Sequence, residues 1–392
     1  MTAEIGILNR RGIALAADSA LTIGNSNGNS KTMNSAVKLF TLDSAHYIGI
    51  MIYGNAEFMS VPWEVIIKSY REKLNNGVKK HVKDYAYDFI SYVSKLGIWE
   101  SKKVINPMVY QYQIELLAAI SDYKDKGNDL EQSTNKAINN INDEIEFSLD
   151  KDKFTSEFSS FLVSNYNSYF KNNDNKLSEK FVDGVYKLIT SNIYSSNNTG
   201  VVIAGYGSDE LFPVIYQLTI DGIVFGRIKY RIDQKATTDP INGEISSSIM
   251  PFAQQEMVHT VISGIDPELN KYRAYQLNGL ENKLVNMFGD SNQKVIHDLL
   301  VANNNDFESY RRKEYTDSVV NMLDSLSIDE LGSMAETLVS LTSFKRKFSG
   351  EMQTVGGPID VLTISRGEGP IWMKRKQFFD FSQNKGYELR RK

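Results

Sequence analysis

The sequence predicts an α+β protein in which antiparallel sheets are covered by helices. Two observations predict it. Short β-branched segments punctuated by Gly, Asp or Asn gather in three blocks, at the start, middle and end of the 392 residues. Between the blocks run long stretches with helical spacing and helix-start signals. The composition, 41% hydrophobic and 23% charged, is that of an ordinary globular chain able to bury a sizeable core.

The first block opens on a hairpin within residues 3–24. Ile5, Ile7 and Leu8 precede a turn at Asn9-Arg10-Arg11-Gly12, and the apolar run Ile13–Ala17 ends on Asp18. Apolar segments at Val37–Leu42 and Tyr47–Tyr53 continue the block. A helix is expected from Ser60-Val61-Pro62-Trp63, with Ser60 as N-cap, Pro62 in the first turn, and Ile66, Tyr70 and Leu74 at four-residue spacing. The stretches around 104–195 and 265–325 also read as helical, though rich in Asn, Lys and Tyr. The middle block is Val201–Tyr206 and Val214–Ile220. Ser327-Ile328-Asp329-Glu330 is a capping box, followed by Leu331, Met334, Ala335, Leu338 and Val339 on one face. The last block is Ile359–Ile364, a turn at Arg366-Gly367-Glu368-Gly369, and Ile371–Met373. One domain over 1–392 accounts for this order, with core blocks 2–74, 196–235 and 327–376 and helical insertions at about 75–195 and 265–325.

Charge and special residues exclude several classes. The net charge of −4 comes with no basic stripe for nucleic acid or acidic membrane. No cysteine is present, so disulfides, thiol nucleophiles and thiolate metal sites are excluded, which suits a reducing compartment. His46, His81, His259 and His297 lie too far apart for the usual ligand spacings, and no metal or cofactor is expected. Arg10-Arg11 does not start an export signal, because the apolar stretch after it stops at Asp18. No apolar run approaches the length of a membrane span. The expected location is the cytoplasm.

Thr2 follows the initiator methionine with no leader before the first strand. A threonine hydroxyl becomes a useful nucleophile when a base takes its proton, and the residue's own α-amine is one such base. An α-amine titrates at about 7.7–8.0, close to neutral pH. This chemistry requires Thr2 to be the true terminus, and its small size leads us to expect removal of Met1.

The neighbourhood of Thr2 supplies the rest. Gly12-Ile13-Ala14-Leu15-Ala16-Ala17-Asp18-Ser19-Ala20-Leu21-Thr22, then Ala36-Val37-Lys38-Leu39-Phe40, then Gly54-Asn55-Ala56 resembles the proteasome β-subunit family, which includes bacterial two-ring proteases whose subunits begin Met-Thr. Asp18 stands sixteen residues after Thr2, matching the family's separation. Thr199–Tyr206 and Val355–Ile364 look like two later strands of that family, and the resemblance covers about half the chain in order. It implies a four-layer αββα sandwich of the N-terminal nucleophile (Ntn) hydrolases. It further implies Thr2 as nucleophile, Lys38 as the adjacent cation, Asp18 as its counter-charge, and the Gly54 N–H as oxyanion donor. Leu21, Ala36, Ile52 and Ala56 would line the pocket for the side chain before the cleaved bond, and the Thr22 backbone would pair with an extended substrate. The implied substrate is a peptide or protein, and the implied assembly a homo-oligomeric ring or stack; an unfoldase partner is left unidentified.

The sequence also departs from the family. The loop Gly24–Ser30 lengthens the gap between Asp18 and Lys38, so Lys31 stands as an alternative lysine. The supporting serine of the end motif falls on Val355 and its acid on Met352, with Glu351 and Thr354 adjacent; the other supporting serine falls near Asn198 or Thr199. Two alternatives therefore stay open: hydrolysis of a small amide by the same nucleophile, and a non-catalytic scaffold subunit. Gly24-Asn25-Ser26-Asn27-Gly28 matches G-x-S-x-G but lacks the helix which that elbow needs. Gly205-Tyr206-Gly207 lacks a dinucleotide fingerprint's third glycine. Asn142–Glu146 reads as a helix face, and Lys374-Arg375-Lys376 and Arg390-Arg391-Lys392 as solvated tail charges.

Overall fold

The computed structural model describes residues 3–24, 30–42, 45–74, 77–97, 106–142, 144–172, 174–238, 247–349, 355–377 and 379–380. Met1 and Thr2, and the G-x-S-x-G match from Asn25 onward, lie outside the described residues. The first block supplies β1 (Glu4–Asn9), β2 (Gly12–Ala17), β3 (Leu21–Gly24), β4 (Ser30–Met33), β5 (Leu39–Thr41) and β6 (Ile48–Gly54). The short pair β7 (Glu57–Phe58) and β8 (Val61–Pro62) leads into α1 (Trp63–Leu74) and α2 (Val82–Ser94). Four helices follow: α3 (Pro107–Asp125), α4 (Leu130–Asn139), α5 (Lys151–Phe170) and α6 (Asn175–Thr190). The middle strands are β9 (Thr199–Gly205), β10 (Val214–Val224), β11 (Arg227–Thr237) and β12 (Ser247–Pro251). Then come α7 (Glu256–Ser263), α8 (Pro267–Phe288), α9 (Gln293–Arg311), α10 (Asp317–Leu323) and α11 (Ile328–Phe348), before β13 (Asp360–Ser365) and β14 (Gly369–Lys374).

Two five-stranded antiparallel sheets carry the molecule, ordered β12-β1-β2-β13-β14 and β11-β10-β9-β6-β5. Side chains alternate across each strand, and the alternation sorts them cleanly. Leu8, Ile13 and Leu15 of the first sheet share one apolar cluster with Met51, Val202 and Ile215 of the second. The opposite face of the first sheet puts Ile5, Ile7, Ala14 and Ala16 against Leu331, Ala335 and Leu338 of α11. On the opposite face of the second, Ile50, Ile52 and Ile203 meet Trp63 and Ile66 of α1 and Phe89 of α2. The chain is thus mixed α+β with antiparallel sheets, as the strand blocks predict.

Helix α11 starts as its capping box requires: Glu330 accepts from the Ser327 N–H at 2.8 Å. Its expected apolar face is buried at Leu331, Ala335, Leu338 and Val339, with Met334 half-buried. Helix α1 differs from expectation, beginning at Trp63 with Val61 and Pro62 paired to Phe58 and Glu57. Met59 and Ser60 both have positive φ (49° and 70°), the backbone of a tight two-residue hairpin turn, so Ser60 cannot cap the helix. Strands β11 and β12 lack a clear sequence signal, because β11 is a partly exposed edge strand rich in charge and β12 is a short serine-led segment. The Asn142–Glu146 reading is also corrected: Ile145 forms an isolated bridge to Ser191, and the described residues there are not helical.

Helices α3 to α6 build their own core around Tyr112, Phe154, Leu162, Tyr166 and Phe181. Helix α2, inside the stretch expected as the first insertion, packs instead on the second sheet. The four-helix unit is fastened to the sheet through Lys229 of β11. Its Nζ donates to the Tyr112 hydroxyl (2.8 Å) and to the Ile189 and Ile193 carbonyls (2.9 and 2.6 Å). Asp221 of β10 accepts from Tyr112, the Ser195 N–H and the Ser195 hydroxyl.

Burial pulls the Lys229 ammonium down to about 8, against an opposing pull from Asp221. The unfolded chain therefore binds the extra proton between pH of about 8 and the ordinary lysine value of 10.5, and stability gains from Lys229 as pH rises through that window. Denaturant unfolding at a series of pH values should show the advantage of the native chain over Lys229→Met widening from pH 7 to 9.5; a constant difference would contradict this.

Candidate active site

The β1–β2 hairpin closes on itself at the start of the described chain. The Asp18 N–H donates to the Ala3 carbonyl (3.1 Å), and the Ala3 N–H donates back to Asp18 Oδ1 (3.3 Å). Asp18 Oδ2 accepts from the Ala20 and Gly356 N–H groups (3.3 and 2.9 Å), so the carboxylate ties the strand end to the loop before β13. Lys38 Nζ completes the set, donating to Asp18 Oδ1 at 2.5 Å. Glu4 Oε1 stands 3.4 Å from the same ammonium. All three are buried, at 3% exposure for Glu4, 1% for Asp18 and 4% for Lys38. Charges are almost never buried this deeply unless paired.

Strand register places the lysine. Lys38 immediately precedes β5, and its carbonyl accepts from the Ile52 N–H at 2.9 Å. In an antiparallel ladder, residues two apart direct their N–H groups to the same side. Gly54 N–H therefore points to the Lys38 side of β6, beyond the end of β5. The next residue, Asn55, donates to the Asn198 carbonyl on the other side (3.4 Å). Gly54 has φ +83°, and an added Cβ would lie 3.1 Å from the Asn198 oxygen, so glycine is required there. Thr199 anchors this turn: its hydroxyl accepts from Trp63 Nε1 (2.9 Å) and donates to the Asn55 carbonyl (3.0 Å). Tyr53 adds no titratable group near neutrality, because burial pushes its hydroxyl up to about 12 despite the hydrogen bond from Gln217.

Asp18 and Lys38, two of the residues that the resemblance singled out, are paired, and Gly54 ends the strand that neighbours β5, while Thr2 lies outside the described residues. Of the two candidate lysines, Lys38 holds Asp18, while Lys31 is exposed on β4. Leu21, Ala36 and Ala56 are half-buried, and the Ala36 N–H donates to the Ser19 carbonyl (3.1 Å). Thr22 pairs with Thr32 in the β3–β4 ribbon. Ile52, 3% exposed, belongs to the cluster beneath α1 and α2. Val355 is fully buried in the cluster under α11, and Glu351, Met352 and Thr354 lie outside the described residues.

Sequence reasoning missed Glu4, Asp360 and Lys376. Glu4 had a legible signal, a carboxylate at the head of a strand otherwise apolar enough to be buried along its length. Lys376 was read as a solvated tail charge. Instead its Nζ donates to Asp360 Oδ2 (2.7 Å) and to the Ser19 hydroxyl (2.8 Å), and its side chain is 8% exposed. Ser19 donates in turn to the Pro358 carbonyl (2.6 Å), and its N–H to the Gly356 carbonyl (3.2 Å). This second buried pair holds the Gly356–Pro358 loop against Asp18. Among the described residues, no group of three or more His, Cys, Asp or Glu side chains is placed to hold a metal ion.

Removing the ammonium would leave two carboxylates buried together. Lys38→Met should destabilise the fold by about 3–5 kcal/mol. Adding Glu4→Gln to that variant should restore part of the loss, since one buried charge is then removed. Urea unfolding midpoints check this; a double variant no more stable than Lys38→Met would contradict it.

No protein-family model and no curated protein matches this chain.

Proposed function

We propose that the chain is an Ntn hydrolase that cleaves amide bonds in peptides or proteins through Thr2, once Met1 is removed. The observation that carries the reading is the reciprocal clamp between Ala3 and Asp18, with Lys38 on the same carboxylate oxygen. Thr2 is joined to Ala3 by a single peptide bond, so the clamp stands one residue along the chain from the proposed nucleophile. Two sheets sharing one apolar cluster, each with helices on its other face, support the four-layer αββα reading.

In this mechanism the Thr2 α-amine accepts the hydroxyl proton as Oγ bonds to the substrate carbonyl carbon. In this reading the Gly54 N–H is the donor that meets the oxygen charge as it develops. The tetrahedral intermediate collapses as the carbon–nitrogen bond breaks, and the α-ammonium passes its proton to the leaving amine. Water, deprotonated by the same amine, then attacks the acyl ester and regenerates the Thr2 hydroxyl. Lys38 favours the deprotonated forms of the hydroxyl and amine, because a nearby positive charge stabilises the more negative state. Glu4 opposes it by favouring the protonated amine.

Val355, where the family has a supporting serine, favours a second reading: a non-catalytic subunit that keeps the fold. Self-association into a ring or stack belongs to the proposal in either case, as does a cytoplasmic location; among the described residues no helix is long and apolar enough to cross a membrane.

Incubation with a peptide β-lactone should add one inhibitor mass to the native chain at Thr2 and none to Thr2→Ala. Native chain with an exposed Thr2 amine that neither labels nor turns over peptides would overturn the catalytic reading. Turnover of a small amide without labelling would redirect it to that substrate.

A further inference from the structure

A second buried ion pair stands beside the first, one strand further along the same sheet. In the ladder between β2 and β13, Asp360 lies opposite Ala17, the residue before Asp18. Its carboxylate takes two donors from one residue: the Lys376 N–H on Oδ1 and the Lys376 ammonium on Oδ2, each at 2.7 Å. The Asp360 and Lys376 side chains are 4% and 8% exposed. The same ammonium donates to the Ser19 hydroxyl (2.8 Å), so the hydroxyl's own proton goes to the Pro358 carbonyl (2.6 Å).

The sheet holds together without this pair, because β2 and β13 are already paired from Asp360 to Ser365. Burying two charges is costly, and apolar side chains of similar volume are often as stable in their place. What the pair adds is direction. The loop it holds meets the end of β2 through the Gly356 N–H on Asp18 Oδ2 (2.9 Å) and the Ser19 N–H on the Gly356 carbonyl (3.2 Å). Asp18 Oδ1 faces Lys38 and the Ala3 N–H, whereas Oδ2 is held by Gly356 and by the longer bond from Ala20 (3.3 Å). Were the loop to drift, the carboxylate could turn about its Cβ–Cγ bond and carry Oδ1 away from Lys38.

We propose that Lys376 is a positioning residue for the candidate active site, in a role that rests on the Thr2 reading above. Through Ser19 and the Gly356–Pro358 loop it fixes the direction of the Asp18 carboxylate, and with it the placement of the Lys38 ammonium. It touches neither substrate nor reacting atoms. Its effect falls on the rate of acyl transfer and leaves substrate affinity alone, because a displaced supporting group raises the barrier without removing a binding contact.

Lys376→Met alone would strand a buried carboxylate. The informative variant is therefore Lys376→Met with Asp360→Asn, which removes both charges and keeps an acceptor for the backbone N–H at position 376. Both readouts use the mature full-length chain. Amide exchange at Gly356 and Ala20 should quicken by about tenfold or more, while the β1–β2 ladder keeps its native rate. Acylation of Thr2 by a peptide β-lactone should slow by about tenfold to a hundredfold at saturation, with the half-saturating concentration unchanged. Native exchange at Gly356, a native acylation rate, or a loss seen only in the half-saturating concentration would overturn the role of Lys376 alone. Exchange that rises equally along β1 and β2 would mark a purely structural pair and overturn it too. Native chain with an exposed Thr2 amine that is not acylated would instead overturn the Thr2 reading, and the positioning role with it, whatever exchange shows.

Discussion

Everything around the candidate site is arranged to bury one ammonium between two carboxylates. Lys38, Asp18 and Glu4 come from three different places: the approach to β5, the end of β2 and the head of β1. Each would be costly to bury by itself. Their meeting requires the two sheets to face each other with β1, β2 and β5 at one end of the shared apolar layer. The cluster is thus a constraint on the relative placement of the sheets as well as a chemical centre.

The surrounding contacts serve that constraint. Asp18 accepts from three backbone N–H groups besides Lys38, which leaves its carboxylate little freedom to turn away. Lys376 and Asp360 brace the neighbouring loop through Ser19, so a residue close to the end of the chain helps fix the geometry at its beginning. On the other side, Trp63 and Thr199 hold the turn after Gly54, connecting the helix layer to the end of β6. The helical additions lie outside this frame: one is fastened through Lys229, and the other includes the α8–α9 hairpin.

Much of the frame was legible in the residues. The near-continuous apolar runs of β1, β2, β6, β9 and β13 mark two-sided burial, and Ser327 with Glu330 marks the start of α11. What failed did so for identifiable reasons. Ser60 looks like an N-cap by residue type, but the sequence does not advertise that Met59 and Ser60 take left-handed backbone conformations. β11 hides as a strand because its edge is exposed and charged. In the site, the family resemblance pointed to Asp18 and Lys38, which pair, while Glu4 at the head of an apolar strand was a visible signal that carried no information about its partner. Lys376 escaped because a basic tail residue is normally solvated, and its partner Asp360 is distant from Ser19 in sequence. Long-range pairing of single charges is the part that local pattern cannot express.

The central claim is that this charge cluster exists to serve a chain that begins at Thr2. Its most direct test is the intact mass of the mature, untagged protein. The account predicts a chain lacking Met1 and starting at Thr2, with the α-amine exposed to act as base. A mature population that retains Met1 throughout would contradict it, because the amine beside the Thr2 hydroxyl would then be a peptide nitrogen.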